Sequence, residues 1–129
     1  MAAQPIKIQS INNQRSNARI HTILQKDDSD ILLIQEPWYK TVATLRSDTN
    51  PDGDPIRGAP VNSLWDLHTP TLKPTDECRV LTYTKSSIRS IAQNRPSHPT
   101  ACPNIIVTNI DDGATITMRI INVYHQRPQ

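Results

Sequence analysis

The sequence predicts an α/β protein whose strands form one mixed β-sheet joined by a crossover helix, and three observations carry that reading. A strand, helix, strand pattern occupies residues 6–36. A β-branched strand signal returns at Arg79–Thr84. Two further β-branched runs, 104–110 and 115–124, flank Asp111-Asp112-Gly113. A βαβ unit of about 30 residues gives parallel pairing, and Asp-Gly between apolar runs gives an antiparallel hairpin, so the combination is a mixed sheet.

Each element has a local cause. Ile6, Ile8 and Ile11 are interleaved with Lys7, Gln9 and Ser10, as in a half-buried strand. The polar turn Asn12–Ser16 follows, with Ser16 placed as a helix N-cap. Ile20, Ile23 and Leu24 then share one helical face, and the charged run Lys26–Asp30 ends the helix. Ile31–Ile34 is a continuous apolar run, suited to a strand covered on both faces. Pro37 stops it, leaving Gln35 and Glu36 at its carboxyl end.

Residues 40–76 read as a long irregular insertion rich in Thr, Ser, Asp, Asn, Pro and Gly, interrupted by Ser63-Leu64-Trp65-Asp66-Leu67 with two or three anchoring apolar groups. In the last strand Ile116, Met118, Ile120 and Asn122 share one face, and Thr117, Arg119, Ile121 and Val123 the other. That strand runs nearly to the last residue, which predicts a domain continuing beyond residue 129.

Composition excludes several classes. The 129 residues are 36% hydrophobic and 4% aromatic with no Phe, so the core falls to Ile, Leu and Val. A formal net charge of +2 is too small to bind nucleic acid by bulk electrostatics, so any such function must rest on a site. Cys78 and Cys102 match no zinc spacing and read as reduced small hydrophobes. No run approaches the ~18 apolar residues of a membrane span, and MAAQPIKIQS lacks the pattern of a secretory signal. The expectation is an intracellular protein, nuclear or cytoplasmic.

Polar side chains at strand ends are the candidate site: Asn12 after the first strand, Glu36 after the second and Tyr124 after the last. A carboxylate held at a sheet edge suits a hard cation. The bland alternative is that Glu36 is the first solvated residue beyond a strand. His21, His68, His98 and His125 lack spaced ligand partners. Arg15 and Arg19, spaced four apart, read as a solvated helix face with phosphate contact as the alternative, and Trp38 stands beside the site.

Gln9–Ser16, followed by a helix and Ile31-Leu32-Leu33-Ile34-Gln35-Glu36-Pro37-Trp38, resembles the opening of the endonuclease/exonuclease/phosphatase superfamily. The resemblance is to the endonuclease domain of fungal LINE-type (non-LTR) retrotransposons, and Arg46–Thr49, Gly58-Ala59-Pro60, Trp65-Asp66, Arg79–Tyr83 and Ile121–His125 extend it over nearly the whole chain. It implies the N-terminal half of the four-layered, deoxyribonuclease-I-like α/β sandwich, with residues 1–129 as one truncated domain. It implies Glu36 and Asn12 as ligands of Mg²⁺ or Mn²⁺, and Tyr124 with Asn12 as catalytic residues. Gln14, Arg15 and Trp38 become phosphate or nucleic-acid contacts, with Gln14 standing where the family often has Asn or Asp. DNA is the implied partner, and no membrane is.

The family's Gly-Asp-x-Asn and Ser-Asp-His motifs do not occur in this sequence. Without that His and Asp there is no general base and only one metal carboxylate, so the resemblance implies a phosphodiesterase fragment inactive by itself. The rival reading is a non-enzymatic α/β fragment that at most binds a metal or a partner weakly.

Overall fold

The computed structural model describes residues 6–73, 75–88, 92–93, 104–111 and 116–124. The chain forms β1 (Ile8–Asn12), α1 (Asn17–Lys26), β2 (Ile31–Gln35), β3 (Lys40–Leu45), β4 (Asp54–Gly58) and β5 (Trp65–His68). Then come β6 (Val80–Lys85), β7 (Ala92–Gln93), β8 (Ile105–Asp111) and β9 (Ile116–Val123). The turn expected at Asp112-Gly113 lies outside the described residues, as do Cys102, His98 and His125.

The first half of the sequence folds as its pattern dictates. Ser16 caps α1, its hydroxyl accepting the Arg19 backbone N–H at 3.1 Å. Asp27 closes the helix by donating its N–H to the Ile23 carbonyl. Ile20 and Leu24 are buried on the inward face, with Ile23 packed beside them. The crossover lays β1 parallel to β2 in the register Ile8↔Ile31 to Asn12↔Gln35. β6 pairs antiparallel on the other side of β2, and β5 antiparallel to β6, giving a mixed sheet of order β1-β2-β6-β5.

Both faces of that sheet are covered. On one, Leu32, Ile34, Leu81 and Tyr83 pack against Ile20 and Leu24 of α1, with Trp65, Ala59 and Cys78 completing the cluster. Trp65 donates its Nε1–H to the Leu24 carbonyl at 2.8 Å, and Tyr83 its hydroxyl to the Pro60 carbonyl at 2.8 Å, so each polar tip is satisfied in the core. On the other face Ile31 meets Ile110 and Ile120. The layers run helix, sheet, sheet.

Two expectations are corrected. The later strands do not extend the mixed sheet but form a second one of order β7-β8-β9. Residues 40–76 are not irregular throughout, because β3 and β4 pair as a ribbon and β5 joins the main sheet. The ribbon turns through Pro51-Asp52-Gly53, where Gly53 has φ 89°. Asp-Gly there is the signal used for the later hairpin, and it works here in a segment with little to bury. Among the described residues no helix is long and apolar enough to cross a membrane.

Candidate metal and phosphate site

The carboxyl ends of β1 and β2 carry the candidate residues, and the parallel register sets their relation. Asn12 faces Gln35, so Glu36 lies one residue beyond Asn12 on a neighbouring strand about 4.8 Å away. Backbone pairing continues past the strands. Asn13 N–H donates to the Gln35 carbonyl at 2.9 Å and Arg15 N–H to the Glu36 carbonyl at 2.8 Å. From the other side, Glu36 N–H donates to the Arg79 carbonyl at 3.1 Å. Glu36 is therefore held by backbone bonds from two directions.

The backbone at this corner is unusual. Gln14, Arg15 and Glu36 have φ of 53°, 57° and 50°, and they are the non-glycine residues with positive φ among the described ones. The left-handed region costs such residues of order 1–3 kcal/mol each and persists where the surroundings enforce it, a condition common at functional sites. Here the Arg15–Glu36 backbone bond locks two of the three together.

Tyr124 comes to the corner through Arg79. Its N–H donates to the Asn104 carbonyl at 2.9 Å. The Arg79 guanidinium stacks over its ring at 5.7 Å, while the Arg79 carbonyl receives Glu36. Glu77 bridges Arg79, at 3.7 Å, and Arg15. Arg15 is thus an ion-paired residue preceding α1, not part of a solvated helical pair with Arg19. Gln14 is exposed and donates its N–H to Asn12 Oδ1 at 2.9 Å. Trp38 is half-buried just beyond the buried Pro37.

Beneath these residues runs a network that pattern reasoning missed. Ser10 donates its hydroxyl to Gln35 Oε1 at 3.0 Å, and Gln35 Nε2 donates to Asn122 Oδ1 at 3.0 Å. Asn122 Nδ2 donates to the Leu81 carbonyl at 2.8 Å and to Thr82 Oγ1 at 3.2 Å. Asn122 is buried, so one amide fastens β9 to β2 and β6, two residues before Tyr124 and beside Glu36. The available signal was parity: Asn122 shares the face of Ile120, where a polar residue must find partners indoors.

The donor set was tested against a divalent cation. Mg²⁺ keeps several waters and takes one or two carboxylates. Glu36 offers one carboxylate, and Asn12 Oδ1 keeps a second lone pair beside the Gln14 N–H. Next to Asn12, the buried Asn13 Oδ1 accepts no hydrogen bond from the described residues. The Glu36 and Asn12 oxygens are of the kind that holds a largely hydrated Mg²⁺ or Mn²⁺. Among the described residues, no three His, Cys, Asp or Glu side chains gather into a cage.

The two described histidines have other surroundings. His21 is exposed on α1. Buried His68 bonds Thr84 Oγ1 at 2.9 Å, and Thr84 pairs with Ile31 at the end of β2 remote from Glu36. Burial holds the His68 imidazole below its ordinary value, opposed in part by Asp66.

The solved endonuclease domain of TRAS1, a telomere-specific non-LTR retrotransposon, superposes on this chain with a TM-score of 0.60, over 95% of the chain. The fold is that of a deoxyribonuclease-I-like endonuclease domain. Identity in the overlap is 16%, and the chain spans 45% of the TRAS1 structure. No family model matches the sequence, and no curated protein matches it. In the deoxyribonuclease-I-like arrangement two sheets pack face to face between outer helices; the described part of this chain supplies one helix and the two sheets.

Proposed function

We propose that this chain is part of a divalent-metal-dependent phosphodiesterase acting on DNA, with Glu36 and Asn12 as metal ligands and Tyr124 as a phosphate contact. The observation that carries the reading is the parallel register of Asn12 with Gln35, which brings an amide and a carboxylate to one corner of an endonuclease fold. The family resemblance of Gln35-Glu36-Pro37 and Asn122-Val123-Tyr124 supports the same assignment.

The roles follow from chemistry. A bound Mg²⁺ or Mn²⁺ would neutralise charge growing on a phosphodiester. The backbone bonds on both sides of Glu36 fix the point from which its side chain reaches the ion. The Tyr124 hydroxyl donates a hydrogen bond to a phosphate oxygen, and Arg79 stacked on the ring limits its rotation. Arg15 and Arg79, now shared by Glu77, add positive charge for the flanking backbone. Gln14 and Trp38 are the remaining contacts to DNA.

These residues cover charge neutralisation alone. Hydrolysis also needs an oriented water and a base, and losing a base typically costs about 10²–10⁴-fold. The 129-residue chain is therefore expected to bind the ion and not to nick DNA. Two assays test this. Mn²⁺ binding, followed by electron paramagnetic resonance, should be lost in Glu36→Ala; unchanged binding would overturn the metal assignment. Relaxation of supercoiled plasmid should stay at background, and metal-dependent nicking abolished by Glu36→Ala would overturn the inactivity.

A further inference from the structure

Among the described residues, a cleft of about 280 Å³ lies at the base of the β3–β4 ribbon, lined by Tyr39, Pro55, Arg57, Leu72 and Lys73. Tyr39 and Leu72 form an apolar floor packed against the core under α1. The Arg57 guanidinium lies 5.1 Å from the centre of the Tyr39 ring, which presents it as a flat, oriented donor. Lys73 also lines the cleft, so the lining holds two cations and no carboxylate.

The position matters as much as the lining. Tyr39 follows Glu36 by three residues, at most about 11 Å of chain. Lys73 precedes Glu77 by four, and Glu77 is bound to Arg15 and Arg79. Two of the three segments that line the cleft thus continue directly toward the site corner. At about 3.4 Å of rise per nucleotide, that upper bound keeps the Tyr39 backbone within some three nucleotides of Glu36. The ribbon rising from the cleft is exposed along nearly its whole length and presents Lys40 and Thr41 with Val42 and Ile56. A two-stranded ribbon is narrow enough to enter a DNA major groove.

We propose that this cleft is a second phosphate subsite, in which Arg57 and Lys73 grip the backbone of a DNA strand close to the Glu36 corner. The inference rests on the DNA reading above but uses residues outside the metal corner. Arg57 forks to the phosphate oxygens from its stack on Tyr39, and Lys73 adds a point charge. The grip is independent of base sequence, because it addresses the phosphodiester alone.

The test is the salt dependence of duplex binding by the full chain, read by fluorescence anisotropy. Each phosphate contact contributes about 0.9 to the slope of log affinity against log salt, so Arg57→Ala with Lys73→Ala should flatten it by about 1.8. Over a fourfold rise in salt this removes about a twelvefold loss of affinity. Arg57→Lys combined with Lys73→Ala, which keeps the charge at position 57, should restore about half of the lost slope. Trp65 fluorescence in each variant verifies the fold.

A wild-type chain that binds duplex with a slope the double variant leaves unchanged overturns this subsite alone. No duplex binding by the wild type overturns the subsite and the DNA reading together. Persistence of the double variant's effect in a Glu36→Ala background, where Mn²⁺ binding is lost, supports the subsite independently of the metal corner. Inorganic phosphate that binds the wild type while duplex does not would make the cleft a small-anion site and overturn the proposal.

Discussion

Replacing Asn122 with alanine should separate the two sheets energetically, and the structure sets the size of the effect. The side chain is 2% exposed and makes three hydrogen bonds, to Gln35 Nε2, the Leu81 carbonyl and Thr82 Oγ1. A hydrogen bond is worth about 0.5–1.5 kcal/mol net, and a buried partner left unsatisfied costs more. Asn122→Ala should therefore lose about 3 kcal/mol, a large share of the roughly 6–19 kcal/mol expected of 129 residues at 0.05–0.15 kcal/mol each. Urea unfolding followed by Trp65 fluorescence measures it, because Trp65 is buried in the cluster under α1, across the main sheet from β9. A cycle with Gln35→Ala isolates the inter-sheet bond, for which a coupling of about 1 kcal/mol is expected. A total loss under about 1 kcal/mol with zero coupling would show that apolar contacts alone join the sheets.

Other measurements probe separate parts of the fold. Ser16→Ala removes the α1 cap and should lower stability by about 1 kcal/mol in the same urea assay. Because burial depresses the His68 imidazole, the unfolded chain takes up the proton first, near pH 6.5. Its contribution is complete above that pH and is lost as pH falls below it, so the acid-side slope of the urea midpoint should flatten in His68→Gln. Burial pushes the Cys78 thiol up to about 11. In a Cys102→Ser background the native thiol should react with an alkylating agent at least about 100-fold slower than an unfolded control. Gly53→Ala combines positive φ with a Cβ driven into Thr44 Cγ2, and should loosen the ribbon without changing Trp65 fluorescence.

What the sequence disclosed was what local chemistry decides. Ser16, the Ile20/Leu24 face and the unbroken Ile31–Ile34 run each announce their state within a few residues, and the crossover rule then makes β1 and β2 parallel. That register put Asn12 next to Glu36 with no long-range information. The ribbon escaped because its strands bury almost nothing, so amphipathic alternation is absent and only Asp52-Gly53 marks it. Arg79, Glu77 and Gln35 escaped for another reason. Their roles depend on which distant strand arrives beside them: Gln35 meets Asn122 at a separation of 87 residues, a distance at which periodicity says nothing. The division of the later strands into a second sheet is likewise set by packing on Ile31, not by anything local to β8 and β9.

The left-handed backbone at Glu36 also makes position 36 a record of selection. Glycine adopts that conformation without the steric penalty a glutamate bears, so the substitution that relaxes the fold here is the one that deletes the carboxylate. On the metal assignment proposed for Glu36, stability and chemistry pull in opposite directions at a single codon. A lineage that no longer uses the site has a downhill path to glycine or asparagine, while one that uses it must keep the strained residue. Sampling residue 36 across related copies would show which lineages still depend on the carboxylate, without assaying any of them.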